Sequence, residues 1–181
     1  SRSALRRRIF EFLDGLEYKD LTRSQKEALR RKGVEDKERF DKKKSDLKRH
    51  LSIIFLDSGQ NLFRVRRRYA AAHYGKRRRN VYVCAGYATR ASPDQIFEVV
   101  THDVLHILGF SHHQATSLGP SFGAEELMDR LAKEPALTLS PKGRMVDSGK
   151  TFRGRRYAPM VVPRTKKDRI LWSLWEAVGI A

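Results

Sequence analysis

Four of the six histidines lie in the segment THDVLHILGFSHH, residues 101–113, and three of them, His102, His106 and His112, have a spacing typical of metal ligands. His102 and His106 are four residues apart, so on a helix both imidazole rings project from one face. Gly109 follows three residues later, where a helix can end in a left-handed turn that favours glycine. That reversal can carry His112 back towards the first two rings. The spacing predicts a site for one divalent metal, and three imidazoles plus a water give the open coordination of a catalytic zinc site.

The alternative interpretation is three unrelated histidines, since isolated core histidines are common. The four- and six-residue steps, with a glycine at the turn, favour the metal site. Three imidazoles suit Zn²⁺ best, but they also bind Ni²⁺ or Cu²⁺. We expect His113 to be a surface residue or a hydrogen-bond donor to the site, because adjacent residues rarely point at one ion.

The elements around this segment must position the rings. Ser92, Pro93 and Gln95 predict a capped helix start, and the apolar residues that follow predict a largely buried helix. The other elements that the pattern predicts are strands at 51–56 and 81–85 and helices at 60–74 and 124–133. Cys84 lies in the second strand and is expected in the core. As the single cysteine, it excludes an internal disulfide and any zinc site built on paired cysteines.

The chain is strongly basic, with a net charge of +17 and a pI near 10.4 over 181 residues. Residues 1–49 and 137–181 each carry +7, whereas residues 50–136 carry +3. No apolar stretch approaches the length of a membrane span. A protein this basic usually binds a polyanion, with RNA or DNA as the first expectation, although charge alone leaves membrane phosphates and acidic partners open.

The densest basic segment lies between residues 64 and 79, which hold eight Lys or Arg and no acid. We expect its cations to bind RNA phosphates. They are Arg64, Arg66, Arg67, Arg68, Lys76, Arg77, Arg78 and Arg79. For the charged helix expected from residue 35 to residue 49, a solvated face and an RNA-facing surface are equally compatible with the sequence.

The histidine segment resembles the H-x3-H-x-x-G-x-x-H signature of the YbeY endoribonuclease family, and it is also similar to the metzincin protease motif HExxHxxGxxH. The order of the surrounding segments favours the first family. The family's strand, "NREYRGK"-like helix, second strand, motif helix and "AEEM"-type helix are matched in order. The matching segments are LSIIFLD (51–57), RRRYAAAHYGKRRR (66–79), NVYVCAG (80–86), residues 93–108 and AEELMDRL (124–131).

The chain departs from the YbeY pattern beside the first histidine and before the third. Asp103 stands where YbeY proteins have glycine and metzincins have their glutamate base, and it is one methylene shorter than glutamate. Asp103 could act as a general base, form a hydrogen bond to a ligand histidine, or cap nearby backbone groups. Ser111 replaces the family's usual aspartate. The family has an arginine at the position of Ala70, and Arg77, Arg78 or Arg79 could substitute for it.

The resemblance implies an α+β fold with a small zincin-like mixed β-sheet packed with helices. The expected organisation is a basic helical N-terminal extension (1–49), a YbeY-like metal-binding core (50–136) and a basic extended C-terminal tail (137–181) ending in a short helix. Asp103, Arg77 and Arg79 are the candidate catalytic residues. Residues 1–8 look like part of an organellar transit peptide or the start of a permanent helix.

The function that the resemblance implies is metal-dependent endoribonuclease activity in ribosomal RNA processing and ribosome assembly. The basic arms suggest an organellar version in the mitochondrial matrix. Its expected partners are ribosomal RNA and proteins of the ribosomal or pre-ribosomal particle, with no membrane and no small-molecule substrate. One alternative is a catalytically silent ribosome assembly factor with the same fold. The other is a metzincin-like zinc metalloprotease.

Overall fold

The computed structural model describes residues 4–56, 64–65, 68–69, 72–75, 79–132, 143–146, 151–152, 155–156 and 160–163. The helices are α1 (Ala4–Gly15), α2 (Arg23–Arg30), α3 (Lys37–His50), α4 (Ala85–Ala88), α5 (Pro93–Leu108), α6 (His112–Leu118) and α7 (Ala124–Ala132), with a 3-10 turn at Tyr18–Asp20. The fold is α+β, as predicted. Within the part of the chain described, no helix is long and apolar enough to cross a membrane.

Within the described residues the strands are short and form one three-stranded sheet and three two-stranded ones. They are β1 (Ser52–Leu56), β2 (Arg64–Val65), β3 (Arg68–Tyr69), β4 (Ala72–Gly75), β5 (Asn80–Cys84), β6 (Gly143–Val146), β7 (Thr151–Phe152), β8 (Arg155–Arg156) and β9 (Met160–Pro163). The larger sheet has the order β1-β5-β4, with β1 parallel and β4 antiparallel to β5. The predicted strands at 51–56 and 81–85 are therefore its parallel pair.

The predicted helix at 60–74 is wrong, because the described residues of that segment form β2, β3 and the beginning of β4. Arg64 pairs with Tyr69 and Val65 with Arg68 in a short antiparallel ladder, and β4 pairs along the second edge of β5. Cross-strand pairing of this kind outweighs the helical spacing of a few apolar residues, because strand preference depends on the neighbouring strand.

Strand β5 lies at the centre of the packing, and its alternating side chains join two clusters. Val81 and Val83 enter the main core, whereas Tyr82 and Cys84 enter a second cluster formed with α4 and α7. Because both faces of β5 are covered, the residues of VYVC are all buried. This explains why the strand appears in the sequence as a continuous apolar run. Cys84 is buried, as predicted.

The N-terminal helices contribute directly to the main core. The residues of this core include Ile9 and Leu13 of α1, Leu29 of α2, Phe40 and Leu47 of α3, and Val100, Val104 and Leu105 of α5. Phe40 also meets Phe110 edge-to-face, with ring centroids 6.4 Å apart. The core is therefore continuous across the boundary predicted between residues 49 and 50.

Candidate metal centre

Helix α5 supplies two of the three histidines, and its ends are fixed by local chemistry. At its start the N–H of Gln95 donates to Ser92 Oγ at 3.2 Å, and the N–H of Ser92 donates to Gln95 Oε1 at 3.0 Å. This is the predicted capping box, with Pro93 at the first helical position. Because the buried face of α5 packs in the core, His102 and His106 are held on a helix that cannot rotate about its axis.

The turn after α5 brings the third histidine back. Gly109 has φ +126°, a left-handed conformation that side-chain-bearing residues rarely adopt, so the predicted glycine turn is confirmed. The N–H groups of Gly109 and Phe110 both donate to Leu105 O at 3.1 Å. The chain then re-enters a helix at His112, the first residue of α6.

Helix α6 was not predicted, although its sequence carries a start signal. The N–H of Gln114 donates to Ser111 Oγ at 3.3 Å, and the N–H of Ser111 donates to Gln114 Oε1 at 3.0 Å, a second capping box. The pattern S-x-x-Q at 111–114 could have indicated this helix. Ser111, the departure from the YbeY pattern, thus fixes the backbone that carries His112.

The three imidazoles converge on one point. His102 Nε2 lies 3.1 Å from His106 Nε2 and 3.2 Å from His112 Nδ1, and all three ligand atoms lie within 4.8 Å of one another. Two nitrogens bound to one tetrahedral zinc at its usual Zn–N length are about 3.3 Å apart. The observed separations match such an edge, so these residues fit a metal ion. The three are close enough to bind one, as the spacing predicts.

Hydrogen bonding fixes the protonation pattern of His106. Its Nδ1 lies 3.0 Å from Phe110 O, and because a carbonyl only accepts, the proton must be on Nδ1. Its Nε2 therefore presents a lone pair to the cluster. His102 Nε2 can donate its single proton to only one of its two nitrogen neighbours, whereas a cation at the centre would satisfy all three lone pairs together.

The surroundings favour the neutral form of the His102 and His106 rings. Burial, with smaller contributions from His106 and His112, lowers the pKa of His102 to about 4. Burial also lowers the pKa of His106, with His112 adding to the effect and the carbonyl of Phe110 opposing it. Neutral imidazole is the form that binds a metal, so protons compete weakly for these two rings near neutral pH.

Asp103 lies beside the cluster, but its carboxyl is buried rather than presented to solvent. The residue is 7% exposed, and its Oδ2 has no hydrogen-bond partner among the described residues. Burial raises the pKa of Asp103 to about 8, so the neutral acid is the favoured form at neutral pH. A protonated carboxyl cannot accept a proton from water as a general base.

A cavity of about 280 Å³, which we call the α7 cavity, opens beside the cluster towards α7. Its lining includes Glu98, His102 and Asp103 of α5, His112 of α6, and Glu125 and Glu126 of α7. Glu98 Oε2 accepts hydrogen bonds from the backbone N–H groups of Phe122 and Ala124, the second at 3.2 Å. Glu98 thereby ties the loop before α7 to α5 and shapes the cavity wall.

The basic segment predicted to bind RNA is only partly described. Arg64 and Arg68 lie in β2 and β3, whereas Arg66, Arg67, Lys76, Arg77 and Arg78 lie outside the described residues. Arg79 forms an ion pair with Asp46 of α3, and its carbonyl accepts a 3.1 Å hydrogen bond from Ser52 N. These contacts join α3, β1 and β5, which gives Arg79 a structural role.

His113 is exposed, and its ring centroid lies 6.1 Å from that of His112. Among the described residues, the group that could hold a metal consists of His102, His106 and His112 alone. The predicted exclusion of His113 from the ligand set agrees with this geometry.

Comparison with known proteins identifies no relative of this chain. No protein-family model matches the sequence, no curated protein is significantly similar to it, and no solved structure matches the fold.

Proposed function

We propose that the chain is a zinc-dependent, RNA-binding factor of the YbeY type that acts in ribosomal RNA processing and ribosome assembly. The observation that carries the proposal is the cluster of three histidine nitrogens within 4.8 Å of one another, two of whose separations match a tetrahedral edge, beside an open cavity. A structural zinc site has four protein ligands, whereas three histidines leave a position for water and substrate. We assign zinc because three neutral imidazoles are a preferred donor set for it.

His102, His106 and His112 would hold the ion, and a fold of the zincin type would present it to the cavity. When bound, zinc supplies a water of lowered pKa and polarises a phosphodiester oxygen. The chain's own contribution is orientation: the Phe110 carbonyl fixes the His106 ring, and the Ser111 cap fixes the backbone of His112.

RNA is the proposed substrate class because of charge. A net charge of +17 gives a salt-dependent affinity for polyanions that a protease does not need. By the same resemblance and composition, we propose a mitochondrial location and ribosomal or pre-ribosomal particles as partners. The arms predicted at 1–49 and 137–181 together carry +14 of the net charge of +17.

A second candidate function is a ribosome assembly factor that binds metal and RNA without cutting. The buried state of Asp103 favours it, because the acid nearest the first ligand histidine is held in its neutral form. Cleavage would then need another group to accept the proton of the attacking water.

Metal analysis with cleavage assays tests the proposal. We expect one zinc per wild-type chain, loss of it in His106→Ala and retention in the matched control His113→Ala. Zinc-dependent cutting of ribosomal RNA would support the enzyme, and zinc with RNA binding but no cutting would support the assembly factor. Zinc-dependent cleavage of casein would instead indicate a protease. A wild-type protein that binds no metal would refute the shared premise.

A further inference from the structure

A second opening reaches the histidine cluster at His106, and the described residues that line it differ from those that line the cavity beside α7. This cleft, which we call the α2 cleft, lies between the end of α2 and the turn that follows α5. Its lining includes Arg31 and Lys32 from the first side and His106, Gly109 and Ser111 from the second. His106 is therefore both a ligand candidate and part of the cleft wall.

Helix α2 is attached closely enough to fix the backbone that carries Arg31 and Lys32. A Cβ placed on Gly109 would lie 3.3 Å from Lys32 Cγ, so the stem of Lys32 packs directly on the turn. Gln114 Nε2 of α6 donates to Ser24 O at 3.3 Å at the other end of α2. Leu29 is buried in the core between these two contacts. The cleft is thus bounded by packed elements on both sides.

Two local features could oppose an anion in the cleft, and neither is strong. Glu27 faces Arg31 at 3.6 Å and Arg30 at 3.9 Å, but these are exposed pairs that contribute little and compete weakly with a ligand. The carbonyls at the end of α2 are already engaged, because Leu29 O accepts from Lys32 N and Val34 N and Arg30 O accepts from Gly33 N. The net field in the cleft is therefore that of Arg31 and Lys32.

The charges on the two sides of the histidine cluster are opposite. The described residues that line the α2 cleft include two permanent cations and no acid. Those that line the α7 cavity include Glu98, Glu125 and Glu126 and no Lys or Arg. A phosphate approaching the three histidines is attracted from the first side and repelled from the second.

We propose that the α2 cleft is a phosphate-binding site in which Arg31 and Lys32 hold a phosphodiester beside the histidine cluster. Arg31 offers a planar fork for two phosphate oxygens, and Lys32 adds a point charge. The assignment of the phosphate to an RNA chain rests on the proposed function. The phosphate site itself rests on the cleft alone.

The first test uses inorganic phosphate as the probe and the full-length protein, with and without added zinc, at constant ionic strength. Backbone amide NMR signals of Arg31, Lys32 and Ser111 should shift on titration, while those of Glu125 and Glu126 should not. The double variant Arg31→Gln/Lys32→Gln keeps the Cβ and Cγ atoms that pack on Gly109. It should weaken phosphate binding by about tenfold or more, since the hydrogen bonds from two charged groups to the phosphate are removed.

The matched control is Arg23→Gln/Arg30→Gln, which removes the same charge from the same helix outside the cleft and should change phosphate affinity by less than about twofold. The second test repeats the comparison with a single-stranded RNA oligonucleotide over a range of salt. The quantity compared is the slope of log affinity against log salt concentration. The cleft variant should lower the magnitude of this slope by about 0.7 for each phosphate that it no longer neutralises, and the control should leave the slope nearer the wild-type value.

The outcomes separate this proposal from the proposed function. Equal weakening by both double variants, with either probe, overturns the α2 site. Selective loss of phosphate binding in a protein that binds no RNA supports the α2 site and refutes the RNA function. Phosphate-induced shifts confined to the α7 cavity also overturn the site.

Discussion

The buried carboxyl of Asp103 makes the stability of the metal-free protein depend on pH in an unusual direction. Its pKa is about 8 in the folded chain against a usual 3.8. Below pH 4 both folded and unfolded chains hold the proton, so folding is not penalised. Between pH 4 and pH 8 the unfolded chain releases the proton and the folded chain keeps it, so the stability contributed by this group falls as pH rises.

The magnitude follows from the two pKa values. One pKa unit corresponds to about 1.4 kcal/mol, so the destabilisation is about 1.5 kcal/mol at pH 5 and about 5 kcal/mol at pH 8. Asp103→Asn removes the ionisation while keeping the shape. The variant should therefore gain about 3–4 kcal/mol relative to wild type between pH 5 and pH 8. That gain is comparable to a large part of the total stability of a small domain.

The assay is urea unfolding of wild type and Asp103→Asn at several pH values, with a chelator present to keep the protein metal-free. The control is Asp129→Asn, which neutralises an exposed carboxyl on α7. His102 acts in the opposite sense: its lowered pKa stabilises the fold above pH 6.5, and this contribution is lost as pH falls towards 4. Comparing variant with wild type at each pH cancels that contribution. A gain at pH 8 no larger than the gain at pH 5 would refute the reasoning.

Three further predictions test the turn, the core and the metal. Gly109→Ala should lower the free energy of unfolding by about 1–3 kcal/mol and weaken zinc binding, because φ is +126° and Lys32 lies against the new Cβ. The control Gly15→Ala has open space around its Cβ and should change neither the melting temperature nor the zinc titration appreciably. Phe40→Ala should lower the free energy of unfolding in urea by about 3–5 kcal/mol because its ring is fully buried. Phe122→Ala should lower it far less, because Phe122 is 44% exposed. Zinc at a thousand times its Kd should stabilise the wild type by about 4 kcal/mol, and a melting temperature that rises equally in His106→Ala would contradict the site.

The sequence was most informative where one local rule decides the structure. The start of α5 follows from Ser92, Pro93 and Gln95, and its end follows from Gly109, because capping and left-handed turns depend on a few neighbouring residues. The histidine cluster could be predicted for the same reason, since two ligands share a helix face and the third follows a single turn. The parallel pair of strands was visible as two short apolar runs.

The sequence was least informative where distant segments decide. The helix predicted at 60–74 failed because β4 completes the edge of β5, a pairing that local spacing does not encode. The burial of Asp103 could not be read from its neighbours either. Its position beside His102 suggested a general base, whereas the packing of α5 encloses the carboxyl and favours its neutral form.

The contribution of α2 shows how the charge of the whole chain differs from the charge at the site. The central segment holds every histidine of the cluster, yet the cavity on its α7 side is acidic. The cations that face the cluster come from Arg31 and Lys32, about 70 residues earlier in the chain. If these two residues hold the phosphate, a fragment of residues 50–136 would keep all three ligands and still lose RNA binding at the centre. The same fragment would also lose Phe40 and Leu47 from the core, so metal binding and phosphate binding both depend on the N-terminal helices.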